Sequence, residues 1–298
     1  MTGAARDAVP AAETPFGEQR RHVRAVLAGD RCLSPATVYD AQSARVAESV
    51  GYRLGILAGS VCASTVLAAP DVVVQTLTEF ADQVRRVMRA SRLSLIVDAD
   101  TGYGNALNVM RTVEELEHAG VALLTIEDLV MPRRFGAAHD VELVSIAEMN
   151  AKLHAALAAR RDPALVIAAR TAALKGEDTA RTVARAKAYA ATGVDALFIT
   201  GLKKLADFDA VRVAVNLPII VGTAPGIKRE ALAARGVRVL LQSHPPVRAV
   251  ARALREVYAH LYAGGAPADL GHRLASAQEM EALTGGPDYA ARQRDWLR

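Results

Sequence analysis

Residues 93–128 read LSLIVDADTGYGNALNVMRTVEELEHAGVALLTIED, and this stretch decides the fold class. Two short apolar runs, 93–98 and 121–126, enclose a segment at 106–119 whose apolar residues recur near positions i, i+3 and i+4. That period predicts a helix, and Gly120 directly after it is where a left-handed glycine ends a helix. Runs that are apolar on successive residues predict strands covered on both faces. The stretch therefore predicts one strand–helix–strand unit of a parallel sheet.

The same alternation continues along most of the chain. Further candidate strands, which bring the total to eight, lie at 32–38, 54–59, 165–170, 195–200, 217–222 and 237–242. Further candidate helices lie at 40–50, 76–90, 145–160, 177–192 and 246–262. The helix-ending position of Gly120 recurs at Gly51, Gly193 and Gly236. Eight strands with intervening helices predict a (β/α)₈ barrel of the TIM type, and an open doubly wound sheet is the alternative.

The composition is that of a globular chain with a mild basic charge. Of 298 residues, 51% are hydrophobic and 23% charged, so the chain can bury a large core. The net charge of +4 comes from scattered basic residues, and aromatic residues make up only 4%. A nucleic-acid interface needs cations gathered on one face with aromatic partners, so no nucleic-acid partner is expected. The densest basic group, Arg20, Arg21 and Arg24 around His22, is interpreted as a solvated helix face.

Cysteine usage and the absence of long apolar runs bear on the compartment. Cys32 and Cys62 are the only cysteines, and their spacing fits neither a zinc site nor a disulfide framework. The N-terminal sequence lacks the pattern of a secretion signal, and no run of about 18 apolar residues occurs. We therefore expect a cytoplasmic protein without a membrane partner.

Three segments are predicted. Residues 1–15 are rich in Ala, Pro and polar residues and are predicted to be disordered, and residues 16–263 form the barrel. Residues 264–298 have few periodic apolar positions and are interpreted as a mobile tail or an arm that docks on a neighbour, to which Trp296 could contribute.

Polar residues follow the predicted strands at their carboxyl ends. In a barrel these ends meet at one mouth, where the active site is assembled. The residues concerned are Ser60, Asp98, Asp100, Glu127, Asp128, Arg170 and His244.

The acidic members of this group indicate a metal site. Asp98, Asp100, Glu127 and Asp128 would place three or four negative charges together, and no lysine lies nearby in sequence. A divalent cation relieves such repulsion, and oxygen ligands favour Mg²⁺ or Mn²⁺ over zinc. Asp71 could join as a further acid. A single Asp after a strand more often caps the next helix, but two acidic pairs on adjacent strands favour the metal.

The other residues have alternative interpretations. Arg170 ends a buried strand and needs an anionic partner, either a substrate carboxylate or one of the acids. Ser60 could help to form an anion-binding nest or cap a helix. His244 could hydrogen-bond a substrate oxygen or simply pack. Gly102 and Gly104 would keep their loop clear of side chains near the metal.

Three segments carry a family resemblance. VDADTGYGN (97–105), TIED (125–128) and AART (168–171) closely resemble the isocitrate lyase/phosphoenolpyruvate mutase superfamily. The resemblance extends from about Cys32 to His260 and includes GILAGSVCASTVLAAPD at 55–71. These longer stretches are most similar to the oxaloacetate decarboxylase branch.

The resemblance implies a fold, an assembly and a set of site residues. The fold is a (β/α)₈ barrel whose last helix exchanges between paired subunits, and the homo-oligomer is a dimer of dimers, a homotetramer. The direct metal ligand is Asp98. The acids that reach Mg²⁺ mainly through water are Asp71, Asp100 and Glu127. The substrate contacts are Ser60, Arg170 and His244, and the last two are the candidate catalytic residues.

The sequence departs from several branches of the superfamily. The loop at 132–139 reads PRRFGAAH, so Phe135 occurs in the segment where the lyase branches carry a cysteine acid or base. A phenyl ring has no proton to transfer, which disfavours isocitrate or methylisocitrate cleavage. The mutase-type Lys-Thr-Asn segment is missing, which disfavours phosphonate chemistry. The segment 222–226 has no aromatic hydroxyl where decarboxylase relatives can place a tyrosine.

The reaction expected from these residues is Mg²⁺-dependent decarboxylation of oxaloacetate, or of a close β-keto acid, to pyruvate and CO₂ through a metal-stabilised enolate. The enzyme would be a carboxy-lyase that needs no organic cofactor. One alternative is another carbon–carbon lyase of the superfamily, similar to 2-methylisocitrate lyase, or a hydrolase acting on a related 2-oxo or 2-hydroxy acid. Another is a non-catalytic metabolite-binding barrel.

Overall fold

The computed structural model describes residues 15–133, 135–136 and 141–297. Eight parallel strands form one sheet in sequence order. They are β1 (Ala36–Thr37), β2 (Leu54–Leu57), β3 (Ser94–Asp98), β4 (Leu123–Glu127), β5 (Val166–Thr171), β6 (Ala196–Ile199), β7 (Ile219–Val221) and β8 (Val237–Leu240). The backbone N–H of Leu33 donates to Arg238, and its carbonyl accepts from Leu240, both at 2.9 Å. These bonds join β8 to the segment before β1 and close the ring, so the predicted barrel is confirmed and the open sheet is wrong.

Thirteen α-helices occur in the described residues, and six of them match the predicted segments. They are α1 (Gly17–Ala28), α2 (Ala41–Ser49), α3 (Gly59–Leu67), α4 (Leu77–Ala90), α5 (Ala106–His118), α6 (Ile146–Ala159), α7 (Ala173–Gly176), α8 (Thr179–Ala191), α9 (Leu205–Ala214), α10 (Arg229–Ala233), α11 (Pro245–Tyr262), α12 (Ala277–Thr284) and α13 (Gly286–Trp296). The glycines predicted to end helices have the left-handed φ that this position needs, between +81° and +102°, at Gly51, Gly120, Gly193 and Gly236. The predicted segments do not include α3, α7, α9, α10, α12 and α13. Of these, α7 and α10 have only one turn, which is too short to show a period.

Successive side chains along each strand point alternately into the barrel and toward the helices, and so form two apolar layers. Ile96 of β3 lies inside the barrel, whereas its neighbours Leu95 and Val97 pack against the helices. Val23 and Leu27 of α1 join the inner layer. Helix α1 thereby closes the end of the barrel opposite the carboxyl ends of the strands.

One arginine of the basic group on α1 is buried, contrary to the prediction of a solvated helix face. Arg20, predicted on a solvated face, is only 4% exposed. Its guanidinium donates to Asp162 at 2.6 Å, to the carbonyl of Val121 at 3.1 Å and to the carbonyl of Glu117 at 2.7 Å. The solvated-face prediction is wrong for Arg20 because α1 covers strand ends whose carbonyls and carboxylates need donors.

The last helix of the barrel region differs from the others because α11 has no buried residue. Val250, Leu254 and Tyr258 are 42%, 46% and 65% exposed on it. Exchange of this helix between subunits stays a prediction.

The remaining segment predictions relate to the two ends of the chain. Residues 264–297 form a 3₁₀ turn (Pro267–Arg273), α12 and α13. Arg45 of α2 donates to the carbonyl of Leu283 at 2.9 Å and ties α12 to the barrel. The disorder predicted for 1–15 falls outside the described residues except at Pro15. No helix in the described part of the chain has the length and apolarity needed to cross a membrane.

Replacing Arg20 tests the closure of the barrel by α1. Arg20→Ala removes the buried guanidinium that pairs with Asp162 and donates to two backbone carbonyls, and we expect the free energy of unfolding to fall by about 3–5 kcal/mol. The matched control is Arg31→Ala at an exposed position, which should change it by less than about 0.5 kcal/mol. Urea unfolding followed by circular dichroism measures both, and equal losses in the two variants would contradict the buried role.

Candidate active site

One cavity of about 300 Å³ opens at the carboxyl ends of the strands. All seven residues of the predicted site line it: Ser60, Asp71, Asp98, Asp100, Glu127, Arg170 and His244. The structure therefore brings together side chains that are separated by up to 184 positions in the sequence. Their individual roles stay predictions.

The alternation of strand residues explains why three of these side chains reach the cavity. Ile96 faces the barrel interior, so Asp98, two positions later, faces the same way at the mouth. In the same way, Glu127 lies four positions after the inward-facing Leu123, and Arg170 lies two positions after the inward-facing Ala168. Each charged residue thus continues the inward-facing row of apolar residues on its own strand.

Arg170 is held by acids of the cavity. Its Nη1 donates to Asp98 Oδ2, and its Nε is 3.2 Å from Glu127 Oε1. The guanidinium also lies over the ring of Phe198, 5.0 Å from the centroid. Asp98 accepts a further hydrogen bond from Thr125 at 3.2 Å. The structure thus has the internal ion pair that the sequence analysis gave as the alternative role of Arg170.

Burial and mutual repulsion change the acidity of the carboxyl groups. Burial, with Asp98 and Asp71 nearby, raises the pKa of Asp100 to about 8. Burial also raises the pKa of Glu127 to about 7, although the Arg170 guanidinium opposes the shift. Both groups therefore resist ionisation unless more positive charge enters the cavity.

The donor set fits a divalent cation. Glu127 Oε1 is buried and makes no hydrogen bond within the described residues. The four carboxylates face three basic side chains of the lining, Arg133, Arg170 and Lys175, which leaves negative charge in excess when all are ionised. Within residues 15–133, 135–136 and 141–297, no three acidic, histidine or cysteine side chains converge on one point. An ion bound here would complete its shell with water or ligand oxygens.

Helix capping does not account for the acids that follow β3 and β4. Asn105 caps α5, accepting from Leu107 at 3.0 Å, and Ser145 caps α6, accepting from Glu148 at 3.1 Å. The capping alternative for Asp98, Asp100 and Glu127 is therefore wrong.

Asp128 does not belong to the acidic group, contrary to the sequence analysis. It follows Glu127 directly, so the alternation of the strand turns its side chain toward the helices. It is fully buried and accepts from Thr171 at 2.7 Å, Tyr189 at 2.8 Å and the backbone N–H of Ala172 at 3.2 Å. Asp128 therefore stabilises the loop after β5 through these hydrogen bonds and does not face the cavity.

Two further interpretations need correction. Ser60 is not a helix cap, because α3 begins at Gly59 and Ser60 is in its first turn. Gly102 and Gly104 have φ of +80° and +146°, but a Cβ on them would strike Val109 and Asn108 of α5, at 2.3 Å in each case. These glycines allow the loop to pack on α5 rather than to approach a metal.

His244 lies at the mouth in an unusual conformation. Its φ is +54°, and that of Ser243 before it is +56°. Two successive residues other than glycine therefore have left-handed backbone conformations, which are uncommon for such residues. Nδ1 of the ring is 2.9 Å from Oγ1 of Thr37. Burial, together with the Arg170 charge, lowers the pKa of His244, and Asp98 opposes the shift.

Several residues of the cavity lining were not predicted: Arg133, Lys175, Phe198, Thr200, Thr223 and Ser243. Thr37, which contacts His244 but is not part of this lining, was not predicted either. The strand period could have found Phe198 and Thr200, which continue the inward row of β6. Arg133 lies in a loop and Lys175 in the one-turn helix α7, and neither segment has a periodic signal.

Comparison with known proteins shows the family of the chain. The family model of phosphoenolpyruvate phosphomutase matches residues 24–262. An oxaloacetate decarboxylase of Bradyrhizobium sp. (strain BTAi1 / ATCC BAA-1182) is 49% identical over 86% of this chain and 89% of its own.

Solved structures with the same fold are more distant in sequence. A phosphonopyruvate hydrolase in complex with oxalate and Mg²⁺ has a TM-score of 0.84 and 28% identity, covering 94% of this chain and 99% of its own. An oxaloacetate acetylhydrolase in complex with the inhibitor 3,3-difluorooxalacetate has a TM-score of 0.82 and 25% identity, covering 93% and 96%.

The raised pKa of Asp100 makes stability depend on pH in the metal-free protein. Between its usual value near 3.8 and about 8, the folded state keeps a proton that the unfolded state has lost. Stability therefore falls as pH rises through this window. In a chelating buffer, we expect wild-type protein to lose more free energy of unfolding between pH 5 and pH 8 than Asp100→Asn does.

Urea unfolding at the two pH values measures this difference. The matched control is Asp30→Asn at an exposed position, which should follow the wild type. If Asp100→Asn also follows the wild type, Asp100 does not carry the shift.

Proposed function

The chain belongs to the phosphoenolpyruvate phosphomutase family of the isocitrate lyase superfamily, and on this basis we propose that it is a metal-dependent carboxy-lyase that converts oxaloacetate to pyruvate and CO₂. The observation that carries the proposal is the cavity in which crowded carboxylates, Arg170 and His244 meet. Relatives at 43–49% identity over most of the chain are named oxaloacetate decarboxylases.

We assign the acids to Mg²⁺ or Mn²⁺. Asp98 would bind the ion directly, and Asp71, Asp100 and Glu127 would reach it mainly through water. When bound, the ion supplies a Lewis acid beside the keto oxygen of the substrate. The buried Glu127 Oε1, which makes no hydrogen bond within the described residues, and the excess of carboxylates support this assignment.

The chain's own residues would bind and orient the substrate. Ser60 and Arg170 hold the carboxylate next to the keto group, and Arg170 can do so while it stays paired with Asp98. His244 hydrogen-bonds a substrate oxygen. When the bond to the distal carboxylate breaks, its electron pair moves toward the keto oxygen, so the hydrogen-bond donors at that oxygen stabilise the charge.

The loop after β4 does not favour the lyase alternative. Phe135 is fully exposed and has no proton to transfer, so it cannot act as acid or base on a substrate in the cavity. Within the segment 132–139, Arg134 and residues 137–139 lie outside the described residues.

Lys175 is a candidate for the distal carboxylate of the substrate. Its stem packs on Gly201, where a Cβ would come within 2.7 Å of Lys175 Cγ. Its positive charge opposes the burial that raises the pKa of Asp71 and of Glu127, so the ammonium faces the cavity. A dicarboxylate held at Arg170 by one end would place its other end toward this rim.

The assembly we propose is a homotetramer, a dimer of dimers in which α11 packs against a second copy. The exposed Val250, Leu254 and Tyr258 on a helix with no buried residue support a partner for this face. We also assign the enzyme to the cytoplasm, because Cys32 and Cys62 are free thiols, as a reducing compartment allows.

Product analysis with a metal-site variant tests the function. With Mg²⁺ and oxaloacetate, we expect wild-type protein to form pyruvate well above the metal-only rate, with neither oxalate nor acetate as product. Asp98→Ala should lower turnover at least roughly several hundredfold, because removing the ligand removes the charge sink. Asp30→Ala serves as the control and should retain wild-type turnover.

Two results would contradict the proposal. Near-wild-type turnover by Asp98→Ala with excess Mg²⁺ would refute the assigned ligand. Cleavage of methylisocitrate in preference to oxaloacetate would favour the lyase alternative.

Replacing Lys175 tests its substrate contact. Lys175→Met should raise KM for oxaloacetate about two- to fivefold, the size expected for an ion pair at an exposed rim, with little change in kcat. Lys203→Met removes an exposed lysine outside the cavity lining and should leave KM unchanged. Steady-state kinetics measure both, and an unchanged KM in Lys175→Met would exclude the contact.

A further inference from the structure

Thr37 makes a contact that the proposed reaction leaves unexplained. It is the last residue of β1, is 8% exposed, and its Oγ1 lies 2.9 Å from Nδ1 of His244. Its hydroxyl has no other hydrogen-bond partner within the described residues. The pair joins the carboxyl end of β1 to the residue that precedes α11.

The contact decides which ring nitrogen carries the proton. A neutral imidazole has one N–H and one lone pair, and a hydroxyl can either donate or accept. If the hydroxyl donates to Nδ1, its hydrogen is satisfied and the ring proton is on Nε2. If instead Nδ1–H donates to Oγ1, the buried hydroxyl hydrogen is left without an acceptor, which is unfavourable. The arrangement with hydrogen on Nε2 is therefore the more stable one.

The surroundings favour a neutral ring. The charged groups that act on His244 are Arg170 on β5 and Asp98 on β3, and these two are paired with each other. Burial and the Arg170 charge lower the pKa of His244. With Nδ1 held by Thr37, Nε2 is the ring nitrogen left for a ligand in the cavity.

We propose that Thr37 is a positioning residue that holds His244 as the Nε2–H tautomer, so that the neutral ring donates a hydrogen bond to a substrate oxygen and does not act as a base. The oxygen it would serve is the one that gains charge as CO₂ leaves, and this part rests on the proposed function. The tautomer does not depend on it. The left-handed backbone at Ser243 and His244 sets the ring against Thr37.

The tautomer can be measured without any substrate. Long-range ¹H–¹⁵N NMR of metal-free protein labelled with ¹⁵N-histidine distinguishes the two nitrogens, and His244→Gln identifies the signals among the seven histidines. We expect Nε2–H in the wild type and in Thr37→Ser, which keeps the hydroxyl. Thr37→Val, which keeps the shape and removes the hydroxyl, should give a mixture of tautomers. Thr65→Val on α3 is the control and should match the wild type.

Kinetics with oxaloacetate complete the test. Losing the oriented donor should lower kcat/KM in Thr37→Val about three- to tenfold, mainly through kcat, with Thr37→Ser close to the wild type. An Nδ1–H tautomer in the wild type, or a Thr37→Val spectrum equal to that of the wild type, would overturn the assignment. Equal kinetic loss in Thr37→Ser and Thr37→Val would do so too. The expected tautomers without any turnover of oxaloacetate would support Thr37 and refute the proposed function alone.

Discussion

Carboxylates that are crowded together away from water repel one another, and the mouth of this barrel is organised around that repulsion. Arg170 offsets part of it through Asp98 and Glu127, and burial near Asp98 and Asp71 raises the pKa of Asp100 to about 8. A small cation bound among oxygens would relieve the rest. The excess of negative charge among the ionised carboxylates therefore favours binding of a cation and an anionic ligand together.

The alternation of strand residues made much of this site predictable. Once eight strands were recognised, residues at their carboxyl ends had to meet, and the structure places Asp98, Glu127 and Arg170 in one cavity. The prediction was wrong for Asp128, to which the same alternation applies. Glu127 and Asp128 are adjacent in the chain, yet one faces the cavity and the other is buried against Tyr189.

Other residues could not be found from the sequence because their roles depend on distant partners. Arg20 resembles any surface arginine until α1 is seen to cover the strand ends near Asp162. Thr37 is an ordinary strand residue until His244, 207 positions later, comes to lie beside it. Lys175 reaches the cavity from a helix of one turn, which has no period to recognise. Local patterns specify elements, whereas these contacts arise only when the ring closes.

The ring of strands is closed by few backbone hydrogen bonds. Among the described residues, Leu33 alone supplies the backbone hydrogen bonds across the seam between β8 and the segment before β1, and β1 itself has only two residues. Transient separation of neighbouring strands costs least where the fewest hydrogen bonds must break. Thr37 and His244 span the same seam through their side chains. His244 therefore lines the cavity and also, through Thr37, helps to connect β8 to β1. A ligand that hydrogen-bonds His244 would stabilise this connection as it binds.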